Sequence, residues 1–395
     1  MVAWLTRVFG PAHLELAEEV VQDALVKALQ QWPFTGIPDN PAGWLFKVAR
    51  NGALDVLRRS AFLRGREGEI ARELQEREAG LDLVPPGIAD DELRMVFLCC
   101  HPDLPPDARV ALSLKTVGGF STAEIARAFL SSESTIAQRI VRAKRTLRDR
   151  QIPFELPGAV ELTARLDSVL EVIYLMFNEG YAAHAGEDLV RHDVCREALR
   201  LGRCVAFSDL GDPAADALVA LMAFQASRIP ARTNAAGEVV LLEDQDRALW
   251  DHSLIAMGFT HLSRSAEGDR MTPYHVQAAI AAVHAAAPRA EDTDWPRMLG
   301  LYDDLMRLNP SPVVALNRAV ALARVEGPAV ALLEVRRLER EPTLEGYYLL
   351  PSVKGALLLE MGRTREAATA FREALRHPCS DPERQLLRAR LEACD

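Results

Sequence analysis

The spacing of apolar residues constrains this fold more than any other feature of the sequence. They recur with a period of about 3.6 residues along almost the whole chain, whereas the period-two alternation typical of half-buried strands is nearly absent. Only residues 238–242, which follow a turn at 234–237, suggest a short extended piece. We therefore predict an all-α fold.

The chain is long enough for several hydrophobic cores. Its 395 residues, 49% hydrophobic and 26% charged, have the composition of a folded protein with more than one domain. Breaker residues mark two junctions, at 85–87 and at 153–158. We therefore expect two small helical domains at residues 1–66 and 90–152, a linker at 67–89, and a large helical C-terminal domain at 158–395.

The sequence contains no signal for a membrane or for secretion. No apolar run approaches the ~20 residues that a membrane span needs. The N-terminus lacks the basic, apolar and small-residue order of a signal peptide. We predict a cytoplasmic protein that has no membrane partner.

The six cysteines form neither a dense disulfide framework nor a CxxC pair, so we expect reduced thiols in helix packing. The best set of metal ligands combines Cys99 and His101 with His192 and Cys195. Its spacing matches no common zinc site. We predict no metal site and no cofactor.

Charge is distributed unevenly along the chain. The net charge of −10 lies wholly in residues 151–395, because residues 1–150 sum to zero. Residues 42–66 carry six basic side chains against one acidic, and residues 109–150 carry nine against three. Such basic islands suit a half of the molecule that faces nucleic acid, although ordinary solvated helix faces also carry charge runs.

The sharpest motif lies between residues 104 and 148. Ser121-Thr-Ala-Glu124 is a capping box that starts a helix, which we expect to end near Leu130. Ser131 or Ser132 can cap a second helix. Apolar residues of this second helix recur at i, i+4, i+7 and i+11, so they form one buried stripe. They are Ile136, Ile140, Ala143 and Leu147.

The opposite face of the second helix is basic and carries an amide. Arg and Gln side chains read guanine and adenine edges, and further Arg and Lys side chains hold phosphates. The pattern predicts a helix-turn-helix whose second helix enters the major groove. A helical hairpin with a solvated basic face is the alternative, and the capping box, stripe and basic face together disfavour it. The candidate DNA-binding residues are Thr135, Gln138, Arg139, Arg142, Lys144 and Arg145.

Two parts of the chain resemble the extracytoplasmic-function (group IV) sigma factors. LPPDARVALSLKTVGGFSTAEIARAFLSSESTIAQRIVRAKRTL is similar to their region 4, and LAEEVVQDALVKALQQWP with NPAGWLFKVARNGALDVLRR is similar to their region 2. The resemblance implies binding to core RNA polymerase and to promoter DNA, both as duplex and as melted single strand. Region 4 would recognise the −35 element, and region 2 would recognise the −10 element and promote melting.

The resemblance also implies roles for single residues of region 2. One helix would grip the coiled coil of the largest polymerase subunit, and the loop at 35–40 would capture a flipped −10 base, with Asn40 as its reader. The next helix would support the melted strand by stacking and phosphate contact. An ordinary amphipathic helix, and a core tryptophan beside a solvated basic face, are the alternatives. The candidates are Gln22, Asp23, Lys27 and Trp32 for polymerase, and Asn40, Trp44, Lys47, Arg50, Asn51, Arg58 and Arg59 for the −10 element.

The sequence departs from the family pattern in three places. The first region-2 helix is shortened to residues 2–9, Ser134 stands where many members have Gly, and Ala137 stands where a basic or polar residue is usual. The −35 preference of the family therefore does not transfer to this chain.

The C-terminal part carries a repeat-like pattern. Small and aromatic residues at Gly355, Gly362, Ala367, Phe371 and Ala374 have the offsets of a tetratricopeptide repeat. Residues 315–338 show a similar layout one residue out of phase. Stretches such as YLMFNEGYAAHAGEDLVRHDVCREALRLGR resemble a sigma-factor subgroup with a helical, tetratricopeptide-like extension. We place such repeats near 310–395.

Two other functions compete with a sigma factor. The acidic cluster Glu243, Asp244, Asp246 and Asp251 is the concentrated candidate for catalysis, but it lacks the spacing of a calcium loop, and no nucleophile motif or phosphate cradle accompanies it. We expect no enzyme activity. A helix-turn-helix regulator that binds duplex DNA independently of polymerase is the stronger alternative, but it has no use for region 2.

The acidic extension has two interpretations. Its helices would mask the basic islands until a signal releases them, or it would form a fixed scaffold with a groove for a partner helix or for polymerase. Residues 163–206 are too apolar for a detachable mask alone. We therefore favour a scaffold that packs on the sigma domains through a largely apolar interface and is required for activity.

Overall fold

The computed structural model describes the chain except for residues 64–87, 129–130, 155–158, 182–191, 209–210, 235–236 and 395. Its described residues form no β-strand, and a single bridge between Thr233 and Val239 lies where the short extended piece is predicted. The all-α prediction is confirmed. The helices are α1 (Val2–Phe9), α2 (Leu14–Thr35), α3 (Pro41–Leu63), α4 (Ile88–Cys99), α5 (Pro106–Thr116), α6 (Thr122–Ala128), α7 (Glu133–Asp149), α8 (Ala159–Tyr181), α9 (His192–Ala206), α10 (Pro213–Ser227), α11 (His252–Ser265), α12 (Pro273–Ala286), α13 (Trp295–Leu308), α14 (Pro312–Glu326), α15 (Pro328–Leu338), α16 (Leu349–Glu360), α17 (Thr364–Ala374) and α18 (Asp381–Glu392).

The chain divides into two compact units, Met1–Ile173 and Tyr174–Asp395. The division falls inside α8, beyond the junction predicted at 153–158. The small domains predicted at 1–66 and 90–152 both belong to the first unit. The predicted linker at 67–89 lies almost wholly outside the described residues.

Helices α1 to α3 share one core. The apolar stripe of α2 packs against α1 and α3, and Ala24 on this stripe is fully buried. Trp4 of α1 meets Phe46 of α3 edge to face, with ring centroids 5.2 Å apart. The first helix ends at Gly10, whose φ of 87° favours glycine. It has the short span that the sequence predicts.

Helices α4 to α7 complete the first unit. Pro106 begins α5 in the first turn, where its missing amide costs no helical hydrogen bond. Phe97 of α4 and Leu112 of α5 are fully buried. The buried carboxylate of Asp91 in α4 pairs with Arg7 of α1 at 3.4 Å. The two groups of helices are therefore in contact.

The N-terminal half of α8 also belongs to the first unit. Arg165 donates to the carbonyl oxygen of Phe97 at 3.5 Å, and Arg109 of α5 donates to the Ser168 hydroxyl at 3.3 Å. The first residues of the extension predicted at 158–395 therefore pack with the first unit, up to Ile173.

In the second unit, α10 is apolar on every side and almost entirely buried, and α11 and α12 pack against it. Its one charged residue, Asp216, lies 2.6 Å from Nδ1 of His261 and 3.1 Å from Nε of Arg264, both on α11. A buried carboxylate is tolerated when it is paired in this way.

Two helical hairpins, α14 with α15 and α16 with α17, lie towards the C-terminus. They turn at Gly327 (φ 92°) and Gly362 (φ 73°), where positive φ favours glycine. Gly355 of α16 lies beneath Phe371 of α17, so that a Cβ atom at 355 would come within 2.7 Å of the ring. Of the small and aromatic positions predicted from the sequence, Gly355 and Phe371 therefore form a contact between α16 and α17, and Gly362 forms the turn that joins them.

Candidate nucleic-acid interface

The helix pair α6 and α7 is built by two local caps. The Ser121 amide donates to Glu124 Oε2 at 2.7 Å, and the Glu124 amide donates to Ser121 Oγ at 3.2 Å, which is the predicted capping box. Ser132 caps α7 by accepting from the Thr135 amide at 3.2 Å. The predicted end of the first helix at Leu130 falls outside the described residues.

The buried side of α7 is the predicted stripe. Ile136 and Leu147 are fully buried, and Ile140 and Ala143 are nearly so. These four residues fix how α7 rotates about its axis. The opposite face must therefore point away from the core.

That opposite face carries Gln138, Arg142 and Arg145, all exposed. Arg145 pairs with Asp149 one turn further on, at 3.2 Å, and Arg139 at the flank pairs with Asp107 of α5 at 2.9 Å. Thr135 contacts the capping hydroxyl of Ser132 at 2.8 Å. The geometry leaves a polar, basic helix face that can enter a major groove.

Lys144 lies elsewhere. Its ammonium group pairs with Glu18 of α2 at 2.5 Å, and its side chain is only 11% exposed. Arg148, one turn further on, lies 3.7 Å from Glu15 of α2. In this conformation the Lys144 ammonium group is paired with α2 and does not point to a free surface where it could contact a phosphate.

Asn40 caps α3. Its Oδ1 accepts from the Gly43 amide at 2.8 Å, and its carbonyl oxygen accepts the first helical hydrogen bond from Trp44. A Cβ atom on Gly43 would meet Asn40 Nδ2 at 2.7 Å, so glycine leaves room for the cap. The side chain is exposed, and its Nδ2 group is on the loop that the sequence assigns to base capture.

The outer face of α3 is basic. Its inner face buries Ala49, Ala53, Leu54 and Leu57. Trp44 is half-buried and meets Trp32 of α2 edge to face at 5.5 Å, and Arg50 is also half-buried. The exposed candidates on this face are Lys47, Asn51, Arg58 and Arg59.

The outer face of α2 carries exposed apolar residues in addition to the predicted polymerase contacts. Gln22, Asp23 and Lys27 are exposed as expected, whereas Trp32 is half-buried against Trp44. Leu29 beside them is 77% exposed, and Phe34 at the end of the helix is 90% exposed. Because the buried stripe of α2 consists mainly of Ala and Val, its larger apolar residues could have been identified as outward-facing from their register.

The predicted acidic cluster of the C-terminal part has structural contacts. Asp246 caps a short 3-10 turn through the Ala248 amide, and Asp251 caps α11 through the Ser253 and Leu254 amides. Glu243 pairs with Arg324. These contacts give the cluster a role in shaping helix ends.

The described residues bring no three His, Cys, Asp or Glu side chains together at a separation that would hold a metal ion. Cys99 and Cys100 are buried, and burial raises the pKa of the Cys99 thiol to about 11. Within the same described part, no helix has both the length and the apolar character of a membrane span.

Known families match three segments of the chain. The sigma-70 region 2 family matches residues 1–62, and the sigma-70 region 4 family matches residues 94–147. Residues 165–266 match a family of unknown function, DUF6596. The chain therefore has both sigma regions in the expected order, followed by a further family.

Similar whole proteins come from two bacteria. An uncharacterized protein of Rhizobium meliloti is 44% identical over 96% of this chain and 90% of its own length. The "Probable ECF RNA polymerase sigma factor SigI" of Mycobacterium tuberculosis is 29% identical over 40% of this chain and 58% of its own. The ECF RNA polymerase sigma factor SigL of the same species is 32% identical over 33% of this chain and 72% of its own. No solved structure matches the chain.

Proposed function

Because the chain belongs to the family of ECF RNA polymerase sigma factors, we propose that it binds core RNA polymerase, recognises −35 and −10 promoter elements, and promotes promoter melting. The observation that carries this proposal is the exposed polar face of α7 opposite a fully buried stripe. A sigma region 2 in the same unit supplies the second DNA-binding surface.

We assign base reading at the −35 element to Gln138 and Arg142. Both are exposed, and Arg142 has no ion-pair partner among the described residues. An amide and a guanidinium can each form two hydrogen bonds with a purine edge. Thr135, Arg139 and Arg145 lie around them and suit phosphate contact, which Arg139 and Arg145 would make by exchanging Asp107 and Asp149 for phosphate oxygens.

We assign the −10 element to the loop before α3 and to the outer face of that helix. Asn40 Nδ2 can donate to a flipped base. The binding free energy gained in such a pocket must offset the cost of unstacking the base, which is a few kcal/mol. Lys47, Arg50, Asn51, Arg58 and Arg59 follow along α3 and suit the backbone of a melted strand. Trp44 is half-buried beside Trp32, so only part of its ring is available to a base.

Core polymerase would bind the outer face of α2. This face combines Gln22, Asp23 and Lys27 with exposed apolar residues, above all Leu29 and Phe34. An apolar centre with charged residues at its rim is the usual composition of a protein interface. Trp32 contributes by packing against Trp44, which holds the end of α2.

Transcription by core RNA polymerase tests this function. Genomic promoter fragments are transcribed with core enzyme alone, with the protein, and with Asp23→Lys. We expect new transcripts only with the unmodified protein, because the charge reversal weakens binding to polymerase. A pull-down with core enzyme compares Asp23→Lys with a matched control, Asp55→Lys. Asp55 is an exposed acidic residue of α3 and lies outside the α2 face.

A regulator that acts without polymerase predicts different results. It would bind duplex fragments unaided, and core enzyme would make no additional transcripts in its presence. Equal retention of core polymerase by Asp23→Lys and by Asp55→Lys would remove the α2 face from the proposal.

We propose that the C-terminal extension is a tetratricopeptide-like scaffold required for activity, with a surface for a protein partner. The hairpins α14–α15 and α16–α17, with small residues under an aromatic ring, support this proposal. In such folds each hairpin buries its apolar face on its neighbours, so the array is stable as a whole.

A further inference from the structure

A cavity of about 380 Å³ lies within the second unit. Its wall is formed by α12, α13, α14, α16 and α18 together with residues 241–247. Its size falls within the roughly 300–1,000 Å³ of pockets that hold small molecules. No helix pair of the proposed sigma function contributes to it.

The wall carries a guanidinium group that has no carboxylate partner. Arg247 donates to the carbonyl oxygens of His284 at 2.7 Å and Ala287 at 2.5 Å, and to the Thr293 hydroxyl at 3.2 Å. All three partners are neutral. Its Nε atom is buried without a hydrogen bond, and the described residues offer it no ion pair.

A second unpaired cation reinforces the first. Arg228 also has a buried Nε atom without a partner, and it likewise has no ion pair within the described chain. Both guanidinium groups lie near the Trp250 ring, at 5.1 Å for Arg247 and 5.9 Å for Arg228. Arg228 does not line the cavity, but its charge adds to that of Arg247, which does. A half-buried positive charge without a counter-charge is costly, so the wall at Arg247 favours an anion.

His284 lies on the same wall and is 9% exposed. Burial, and then the charges of Arg228 and Arg247, lower the pKa of its imidazole to about 3. The ring is therefore neutral at physiological pH and can accept a hydrogen bond or donate one. Its Nδ1 atom has no partner in the described structure.

The carboxylates on the wall are already paired. Glu243 pairs with Arg324, and Glu360 lies 3.9 Å from the same guanidinium. They therefore do not neutralise Arg247. Asp292 and Glu291 also act on Arg247 through their charge, but both form their ion pairs with Arg289, at 3.0 Å. The residues that line the wall therefore include three arginines against two carboxylates.

The remaining wall is largely apolar. Trp295, Met298 and Tyr302 project from α13, and Val353 and Leu357 from α16. Burial raises the pKa of the Tyr302 hydroxyl to about 12, so this group also stays neutral. Such a surface binds the apolar body of a ligand, and particularly a planar one that can stack on aromatic rings.

We propose that this cavity binds a small organic anion with an apolar, planar body, and that Arg247 holds its anionic group. A carboxylate, sulfonate or phosphate would serve as that group, because each accepts charge-assisted hydrogen bonds from a guanidinium. The C-terminal extension would then carry a small-molecule site of its own, separate from the residues of the proposed sigma function.

Two fluorescent probes that share one aromatic body test the proposal on the full chain. 1-Anilinonaphthalene-8-sulfonate carries the anionic group, and N-phenyl-1-naphthylamine lacks it. Ser352→Trp fills the cavity from α16, and Arg247→Met removes the cation. Arg337→Met is the matched control, since that side chain is 74% exposed and lies outside the cavity.

Ser352→Trp should lose one sulfonate-probe site per chain relative to the unmodified protein and to Arg337→Met. Any probe that binds the exposed apolar face of α2 does so equally in all variants, so it does not affect the difference in the number of sites. Arg247→Met should weaken the sulfonate probe at the cavity by about tenfold or more and change the neutral probe less than about twofold.

Equal numbers of probe sites in Ser352→Trp and the unmodified chain would overturn the proposal. Equal weakening of both probes in a folded Arg247→Met would overturn the role of the anion. Because Arg247 also holds the end of α12, circular dichroism first establishes that this variant is folded. If it is not, titration of Ser352→Trp with both probes decides whether the cavity is the site, and competition of the sulfonate probe by benzoate but not by benzyl alcohol decides the charge.

Discussion

At Asn40 one side-chain amide caps a helix and, in the proposed function, reads a base. Oδ1 is held by the Gly43 amide, so Nδ2 is the group left to donate to DNA. Lys144 shows the opposite case, because its expected DNA contact is replaced by a salt bridge to Glu18. The roles of single residues depend on which neighbours they meet in the fold.

Replacing Asn40 separates its two roles. Asn40→Asp keeps an oxygen that can accept from the Gly43 amide, whereas Asn40→Ala removes the cap and should lower the free energy of unfolding by about 1 kcal/mol. Both changes remove the amide donor, so both should reduce transcription. Urea unfolding and run-off transcription measure the two effects. An Asn40→Asp variant with normal transcription would eliminate Asn40 as the base reader.

Removing Arg142 or Gln138 should relax base preference at the −35 element. We expect Arg142→Ala and Gln138→Ala each to cost about 1–3 kcal/mol of discrimination at one base position. Sequencing transcripts from promoters randomised across that element measures the preference. Arg337→Ala, at an exposed arginine of α15 in the second unit, is the control and should leave the preference unchanged. If all three variants share the parent's preference, α7 does not read bases through these residues.

At the level of elements, local signals were read correctly from the sequence. The capping box of Ser121 and Glu124 and the stripe of α7 need only residues close in the chain, and both were predicted. The partner of Lys144 could not be predicted, because Glu18 lies 126 positions away. The placement of α8 in the first unit also depends on long-range contacts, such as that of Arg165 with Phe97.

Two glycines on helices should respond oppositely to a methyl group. Gly355→Ala places a Cβ atom 2.7 Å from the fully buried ring of Phe371, and such overpacking should destabilise the protein by about 1–3 kcal/mol. A Cβ atom at Gly300 on α13 would meet nothing within 4 Å beyond its own helix backbone, so Gly300→Ala should stabilise by about 0.5–1 kcal/mol. Thermal unfolding measures both. If Gly355→Ala leaves the stability unchanged, α16 and α17 can move apart to make room for the methyl group.

The contact between α7 and α2 should oppose promoter binding. The −35 and −10 elements are named by their positions in the promoter, so they lie about 25 base pairs apart. This is roughly 85 Å of duplex at 3.4 Å per base pair. The salt bridge of Lys144 with Glu18 must therefore break when both elements are bound.

Glu18→Gln weakens this salt bridge and leaves the DNA-binding residues intact. Since such a pair contributes up to about 1 kcal/mol, we expect a gain in promoter affinity of up to about fivefold. Glu19→Gln makes the same charge change at an exposed neighbour and is the control. Fluorescence anisotropy of a labelled promoter with holoenzyme gives the affinities. If both variants bind the promoter with the same affinity, the salt bridge between α7 and α2 does not oppose promoter binding.

On the scale of the whole molecule, the two units differ in charge and in use. The first unit contains both sigma regions and all candidate DNA-binding residues, and its residues 1–150 carry no net charge. The net charge of −10 lies in residues 151–395, which are the end of the first unit and the whole of the second. Composition predicted this polarity, because counting charges needs no structure. It could not predict the boundary inside α8, nor the cavity beside Arg247, which residues from five helices and a loop form together.

Truncating the chain tests whether the extension is a scaffold or a mask. A cut at residue 157 would remove the part of α8 whose Arg165 and Ser168 contact the first unit, so loss of activity there would be ambiguous. A chain ending at Tyr181 keeps the whole of α8. We expect it to be folded by circular dichroism but inactive in run-off transcription at matched concentration, since we propose that the extension is required. Activity above that of the full chain would instead support masking, in which acidic helices cover the basic residues of α3 and α7 until they are released.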